Sequence, residues 1–374
     1  MYHSHVIRRF YIHNFRCLEN FELPVAGQPS LLLIGKNGAG KTTVGLALQI
    51  LQKIARGTNR IGQLIKQKDV AQGRSGLPIR FEIEVDLDSQ IFQYVVAFEL
   101  PENFKEFRVL KEDLFLDGKP LYTRDLAHVQ IKRFAAEGVA QFNLDWHLAA
   151  LPVIQRQPRD PLFVFREWLA RILILRPVPS AITGDSEDET LEPSEDVSDL
   201  GAWFSGLLAD EPSAYTSIDE YLRQVMPDLV DIKNRPTGSD SRSLVIQFKD
   251  GPASLRIPFR DLSDGEKCFM ICALVLAANR AYGPLLCFWD EPDNHLALSE
   301  VGHFVMALRR GFLSSGGQLI MTSHNDEAIR RFSNENTLIL QRKNHLEPTI
   351  VRPVAEIPVS GDLIGALVRD DIAS

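Results

Sequence analysis

One eight-residue run limits this chain more than any other: Gly35-Lys36-Asn37-Gly38-Ala39-Gly40-Lys41-Thr42, set directly after the apolar stretch Leu31-Leu32-Leu33-Ile34. It fits G-x-x-x-x-G-K-[ST] without a mismatch. It also stands where that motif has to stand, after a buried strand and at the start of a helix expected over residues 41–56. Glycines let the backbone wrap so that successive N–H groups point inward at phosphate oxygens, and the helix start adds its positive dipole end. Lys41 can then reach the β- and γ-phosphates of ATP, and the Thr42 hydroxyl is placed to ligate Mg²⁺. Gly35 through Thr43 are the candidate nucleotide contacts. The plainer reading, a glycine turn between strand and helix, is outweighed by the complete motif in this context.

A second apolar run, Leu285-Leu286-Cys287-Phe288-Trp289, ends in Asp290-Glu291-Pro292. A strand buried on both faces delivers its terminal carboxylates to the sheet edge where ligands collect. Asp290 suits a Mg²⁺ shell, as a hard oxygen ligand or through water. Glu291 is placed to orient and deprotonate an attacking water. Upstream, Leu262-Ser263-Asp264-Gly265-Glu266-Lys267 opens a helix expected over residues 265–282. Ser263 and Glu266 form an S-x-x-E capping box, a structural device. A serine hydroxyl, a glycine amide and a helix dipole can also bind an anion there. Because the P-loop already cradles the chain's own ATP, this second cradle makes sense for the ATP of a partner subunit. His324, at the end of the strand 318–322, is placed to contact a γ-phosphate.

The fold class these segments imply is α/β, with a mixed sheet, flanking helices and an antiparallel β subdomain. Period-two segments near residues 81–85 and 94–100 read as an antiparallel pair. The expected division is an N-terminal lobe over 1–100, an inserted middle region over 101–260 and a C-terminal lobe over 261–374. Within the middle, residues 183–199 hold eight acids and no base, and read as an exposed, mobile loop. Lys and Arg number 41 against 49 Asp and Glu, a net charge of −8, so a bulk nucleic-acid coat is disfavoured. The cysteines at 17, 268, 272 and 287 lack zinc-like spacing and read as core thiols in a reducing compartment. The longest apolar run, residues 269–278, is too short to span a bilayer, and a cytoplasmic protein is expected.

Taken together these residues resemble the ABC-type ATPases of the SMC/RecF class, and within it the compact ATPases related to OLD-family heads. Ile12-His13-Asn14-Phe15-Arg16-Cys17-Leu18 looks like the "N-F-R" opening strand of that class. Walker A at 35–42, the signature at 262–267, Walker B with the D-loop at 289–296 and the switch histidine in Thr322-Ser323-His324-Asn325 follow in family order. The resemblance implies a trans phosphate-contact role for Ser263 and Gly265 with Glu266, the D-loop role for Asp293, and a nucleotide contact for Arg16. It also implies a homodimer or higher homo-oligomer closing on ATP and Mg²⁺, with Glu291, His324 and Lys41 catalytic. There are departures. The usual "H-P" after the D-loop is Ala297-Leu298 here, and the Q-loop glutamine is open among Gln63, Gln67, Gln90 and Gln93. No heptad arms interrupt the middle. About thirty residues follow Asn344, too few for the TOPRIM nuclease of OLD proteins.

The expected reaction is ATP hydrolysis driving an ATP-gated dimeric switch or clamp, as in relatives from bacterial anti-phage systems that work with a separate nuclease or toxin. Basic residues Lys53, Arg56, Arg60, Lys66, Lys68, Arg74 and Arg80 face one acid, Asp69, in sequence. They read as a DNA or RNA backbone track, a solvated surface or a protein-docking face. Two alternatives compete. A transporter ATPase normally shows a glutamine-ended signature and a clear Q-loop, and a membrane partner is not expected here. A nucleotide-gated scaffold would bind without turnover. A GTPase is disfavoured because N-K-x-D is missing.

Overall fold

The computed structural model describes residues 4–25, 27–132 and 139–357. The chain divides into two compact units, one of residues 1–172 with 332–374 and one of residues 173–331.

The first unit opens with β1 (His5–His13), β2 (Phe21–Leu23) and β3 (Ser30–Ile34), the last buried at every position. The helix α1 (Lys41–Ala55) begins at the end of the glycine run, and it buries Val44, Leu48, Leu51 and Ile54 along one face. A short turn, α2 (Ile61–Leu64), precedes β4 (Ile79–Leu87) and β5 (Gln90–Glu99). β4 and β5 form the antiparallel pair that alternation indicates, with Phe81, Ile83 and Val85 turned inward. The chain then continues the sheet through β6 (Arg108–Leu116), β7 (Lys119–Asp125), β8 (His128–Lys132) and β9 (Val139–Asn143). The result is an eight-stranded antiparallel sheet in the order β2-β1-β4-β5-β6-β7-β8-β9. α3 (Pro161–Ala170), started by Asp160 as its cap, packs on α1.

That sheet holds a buried charge. Glu112 and Arg124 are both fully buried and 3.3 Å apart. The Glu112 carboxylate accepts hydrogen bonds from Tyr94 and Tyr122 and from the backbone of Ala150 and Leu151. Burial, together with this neighbouring charge, pushes both phenols far above their ordinary pKa. The guanidinium donates to the carbonyls of Leu126, Asp145 and Leu148, so the ion pair fastens the segment 145–151 to the sheet.

The second unit runs from β10 (Leu173–Leu175) and β11 (Asp185–Ser186) through α4 (Leu200–Asp210) and α5 (Ala214–Val225) to β12 (Leu229–Pro236), β13 (Arg242–Asp250) and β14 (Ala253–Pro258). α6 (Asp264–Ala281) is apolar around most of its circumference and correspondingly buried. β15 (Leu286–Trp289), α7 (Leu298–Ser315), β16 (Gln318–Thr322) and α8 (Asp326–Arg330) follow. β15 lies between β10 and β16 with all three parallel, the β-α-β connectivity expected of a nucleotide fold. Returning to the first unit, β17 (Thr337–Gln341) pairs in parallel with β3 and antiparallel with β18 (Ile350–Pro353).

The acidic stretch 183–199 differs from the free loop its composition suggests. Its backbone is tied at Thr190 to Ala202, at Glu195 to Arg176 and at Asp196 to Val178. Val197 is fully buried, and a Cβ on Gly206 would lie 2.4 Å from the Thr190 carbonyl oxygen. Asp199 accepts from both Ser194 N and Ser194 Oγ, so part of the acid content caps local turns.

Candidate functional site

The P-loop lies in the first unit. Gly35, Gly38 and Gly40 all have positive φ, at +143°, +81° and +102°. At Gly35 a Cβ would sit 2.2 Å from the Leu340 carbonyl oxygen, and at Gly40 it would meet Cys17 Sγ at 2.9 Å. These two glycines are therefore required by space as well as by backbone conformation. Lys41 is 6% exposed and its Nζ donates to the Gly35 carbonyl at 2.8 Å, which curls the loop around the ammonium. Lys36, Asn37 and Gly38 form the exposed crest of the turn, and Ala39 N closes it on the Lys36 carbonyl. Thr42 and Thr43 follow in the first turn of α1. Thr349 Oγ1 donates to the Ala39 carbonyl at 2.9 Å, and Thr349 N donates to the Cys17 carbonyl. Sequence reasoning missed Thr349, which lies 310 residues from Ala39 in no motif.

Arg16 has a prior commitment. Its Nε and Nη2 lie 2.9 and 2.8 Å from Asp69 Oδ1, and its backbone N–H donates to the Asp69 carbonyl. A guanidinium held this way shapes the entry turn of the chain. The basic run 53–80 is also mostly engaged within this unit. Arg56 donates to the Ala170 carbonyl and Lys66 to the Gly62 carbonyl, while Arg60, Arg74 and Arg80 pair with Glu106, Glu19 and Glu82. Lys53 and Lys68 are exposed.

The acids lie in the second unit, and their placement follows from strand register. Trp289 on β15 pairs with Met321 on β16 and with Leu175 on β10, so Asp290 and Thr322 leave the sheet at the same edge. Three consecutive residues after Met321 then take one acid each. Thr322 Oγ1 donates to Asp290 Oδ1 at 2.6 Å and accepts from Glu291 N at 2.9 Å. Ser323 Oγ donates to Asp293 Oδ2 at 2.7 Å. His324 Nε2 lies 3.4 Å from Glu291 Oε1. Thr322 and Ser323 are fully buried, Asp290 is 8% exposed and Asp293 3%, whereas the Glu291 side chain is 33% exposed. Burial raises the Asp293 pKa above the carboxylate norm, and the nearby Glu291 charge adds to the effect against the Ser323 hydrogen bond. Among the described residues its Oδ1 has no hydrogen-bond partner.

The signature segment makes the capping box in full. Glu266 N donates to Ser263 Oγ at 3.3 Å, and Ser263 N donates to Glu266 Oε2 at 2.8 Å. Ser263 is exposed, and Gly265 approaches the D-loop closely: a Cβ there would lie 3.1 Å from the His295 carbonyl oxygen. His295 Nδ1 is 3.6 Å from Asp264 Oδ2. Between the start of α6 and the acid strand lies a hollow of about 110 Å³ that is lined by Arg176, Cys268, Trp289, Asp290, Asn294 and His295, among others. The four cysteines are free and buried, and burial pushes the Cys268 thiol up to about 12. Ala297 precedes α7, and its N–H donates to Glu300, so the local helix start needs no proline. Among the described residues, no helix is long and apolar enough to cross a membrane.

Within the first unit the Thr42 hydroxyl is a hard oxygen donor of the kind Mg²⁺ takes, and within the second unit so is the Asp290 carboxylate. The curled P-loop with Lys41 at its centre matches a polyphosphate. Residues 6–118 match the AAA ATPase domain family. No curated protein matches the sequence significantly. Among solved structures, an SMC head bound to the C-terminal winged-helix domain of ScpA superposes with TM-score 0.55 at 15% identity, covering 93% of this chain and 98% of that one. An SMC head with an extended coiled coil, bound to the C-terminal domain of ScpA derived from Pyrococcus furiosus, gives TM-score 0.53 at 13% identity, covering 94% and 98%. Residues 6–118 are thus similar to the AAA ATPase domain family, and the chain has an α/β P-loop NTPase fold that resembles the SMC head.

Proposed function

We propose that the protein hydrolyses ATP and acts as an ATP-gated dimeric switch. Gly35 to Thr43 hold the triphosphate, with Lys41 neutralising charge on the β- and γ-phosphates. Thr42 and Asp290 hold Mg²⁺, which supplies charge neutralisation to the phosphate oxygens. Glu291 accepts a proton from the attacking water as that water adds to the γ-phosphorus and the bond to the ADP oxygen breaks, giving ADP and phosphate. His324 orients Glu291. Catalysis is mostly positioning and electrostatics.

The exposed Ser263 and the Gly265 amide at the start of α6 serve the γ-phosphate bound by a second copy, with Glu266 holding Ser263 in place and Asp293 belonging to the surface that meets the partner. ATP then favours the closed dimer by its differential affinity for it, and hydrolysis opens it. Three functional stretches are proposed within the chain: residues 1–100, an inserted 101–260 and 261–374. The output passes to a separate effector protein, a reading supported by the resemblance to compact defence ATPases. Nucleic acid is the less favoured partner, because five of the seven cations in the run 53–80 are already engaged within the protein. Arg16 is better read as shaping the turn beside the P-loop than as a direct nucleotide contact, given its two contacts to Asp69.

The observation that carries the hydrolytic reading is the division of labour among the acids: Asp290 buried and oriented by Thr322, Glu291 presented to solvent beside His324. The experiment is phosphate release from ATP and Mg²⁺ by wild type and Glu291→Gln. A fall of about 100-fold or more is expected for loss of a general base. Equal rates would remove Glu291 from the chemistry and leave a nucleotide-gated scaffold.

A further inference from the structure

The turn after the acid strand folds back onto the carboxylate it presents. Glu291 has φ +49°, and Asn294 N donates to the Glu291 carbonyl at 3.4 Å. The same turn brings Asn294 Nδ2 to 2.7 Å from Glu291 Oε2, while Oε1 faces His324. Both carboxylate oxygens are therefore engaged by groups of the same chain. A general base has to turn a lone pair toward water. Each oxygen keeps a second lone pair, but the amide bond fixes how the carboxylate is turned and, by drawing on its charge, makes Oε2 a weaker base.

The turn is fastened unevenly. Asp293 is buried and held by Ser323, so it anchors the segment. Asn294 is exposed, and with His295 it lines the hollow that Arg176, Cys268 and Trp289 also line. Asn294 can swing away without unpacking a core. Its neighbours His295 and Leu296 lie against Gly265 at the start of α6, the surface assigned above to the partner's nucleotide.

We infer that Asn294 is a brake on Glu291: a positioning residue that holds the carboxylate out of line in an unpaired subunit and releases it when the segment 293–296 docks on a second copy. This rests on the hydrolytic, dimeric reading and extends it by naming the contact that silences a lone head. It gives the closed dimer a route to faster chemistry that does not require the partner to touch the water.

The test compares purified full-length wild type, Asn294→Ala, Asn294→Asp and Glu291→Gln. Phosphate release is followed over protein concentrations spanning the dimerisation midpoint, with binding of a fluorescent ATP analogue measured in parallel. Asn294→Ala is expected to raise kcat per chain about 5-fold at the lowest protein concentration, the factor that one hydrogen bond of ordinary net strength represents. KM and analogue affinity stay unchanged, and the difference from wild type shrinks as dimer forms. Asn294→Asp, whose carboxylate repels Glu291, behaves in the same way. A merely structural role would lower kcat or move analogue affinity. The brake is overturned if both variants are no faster than wild type at every concentration while wild type still exceeds Glu291→Gln. If wild type and Glu291→Gln are equally slow, the hydrolytic reading fails and the brake with it.

Discussion

Replacing Thr322 with valine removes one oxygen and almost no volume, yet that oxygen bonds two of the candidate site residues. Thr322 is fully buried, donates to the Asp290 carboxylate at 2.6 Å and accepts from Glu291 N at 2.9 Å. A hydrogen bond to a charged group contributes about 1.5–3 kcal/mol, a neutral one about 0.5–1.5 kcal/mol. Losing both, with an N–H and a carboxylate oxygen left behind, should cost the second unit roughly 2–4 kcal/mol. Thr322→Ser keeps both bonds and loses one buried methyl, so it should cost only about 1 kcal/mol. Native-state hydrogen exchange of the β15 and β16 amides measures this locally. Fluorescence would mix Trp203 and Trp289 with Trp146 and Trp168 of the first unit. Thr322→Val should also lower kcat for phosphate release more than Thr322→Ser does. A valine variant within about 0.5 kcal/mol of wild type, the ordinary range for an uninvolved surface change, would refute the reasoning. So would a serine variant worse than the valine one.

Other substitutions probe separate parts of the account. Glu112→Gln leaves Arg124 buried without its counter-charge and should destabilise the first unit by about 3 kcal/mol or more, read by urea denaturation. Ser263→Ala breaks the capping box, costs about 1 kcal/mol in α6 by hydrogen exchange, and should weaken ATP-driven self-association beyond that loss. Because burial raises the Asp293 pKa, the folded protein takes up that proton before the unfolded chain does. The Asp293 contribution to stability therefore grows as pH falls through the raised value and is lost as pH rises through it. Asp293→Asn should lack that slope in a pH series of unfolding free energies. A wild type and variant with parallel profiles would contradict it.

The parts of this molecule legible in its sequence are those in which one residue type answers one physical demand. Gly35 and Gly40 are glycines because a Cβ has no room, and the strand before them is apolar from Leu31 to Ile34 because it is buried at every position. The acid strand, the capping box and the helices after it are readable for the same reason. The sheet from β6 to β9 was hidden, because Lys111-Glu112-Asp113 interrupts apolar alternation at the place where Glu112 is buried against Arg124. Composition also misleads at 183–199, where carboxylates cap turns and a buried Val197 anchors the segment. At the site, Thr322 and Ser323 sat in plain view beside His324, but their roles depend on strand register, which pattern alone does not give. The nucleotide contact for Arg16 comes only from the family resemblance, and its pairing with Asp69, 53 residues away, is a long-range contact that no local pattern announces.

The claim on which the rest depends is that ATP joins two copies of this chain. The direct measurement is the molar mass in solution of Glu291→Gln, which should hold ATP unhydrolysed, by light scattering with and without ATP and Mg²⁺. The account predicts a shift from 42.1 kDa to twice that value only when both are present, with the dimer weakened by adding Ser263→Ala. A mass that stays at 42.1 kDa with the nucleotide site saturated would contradict it.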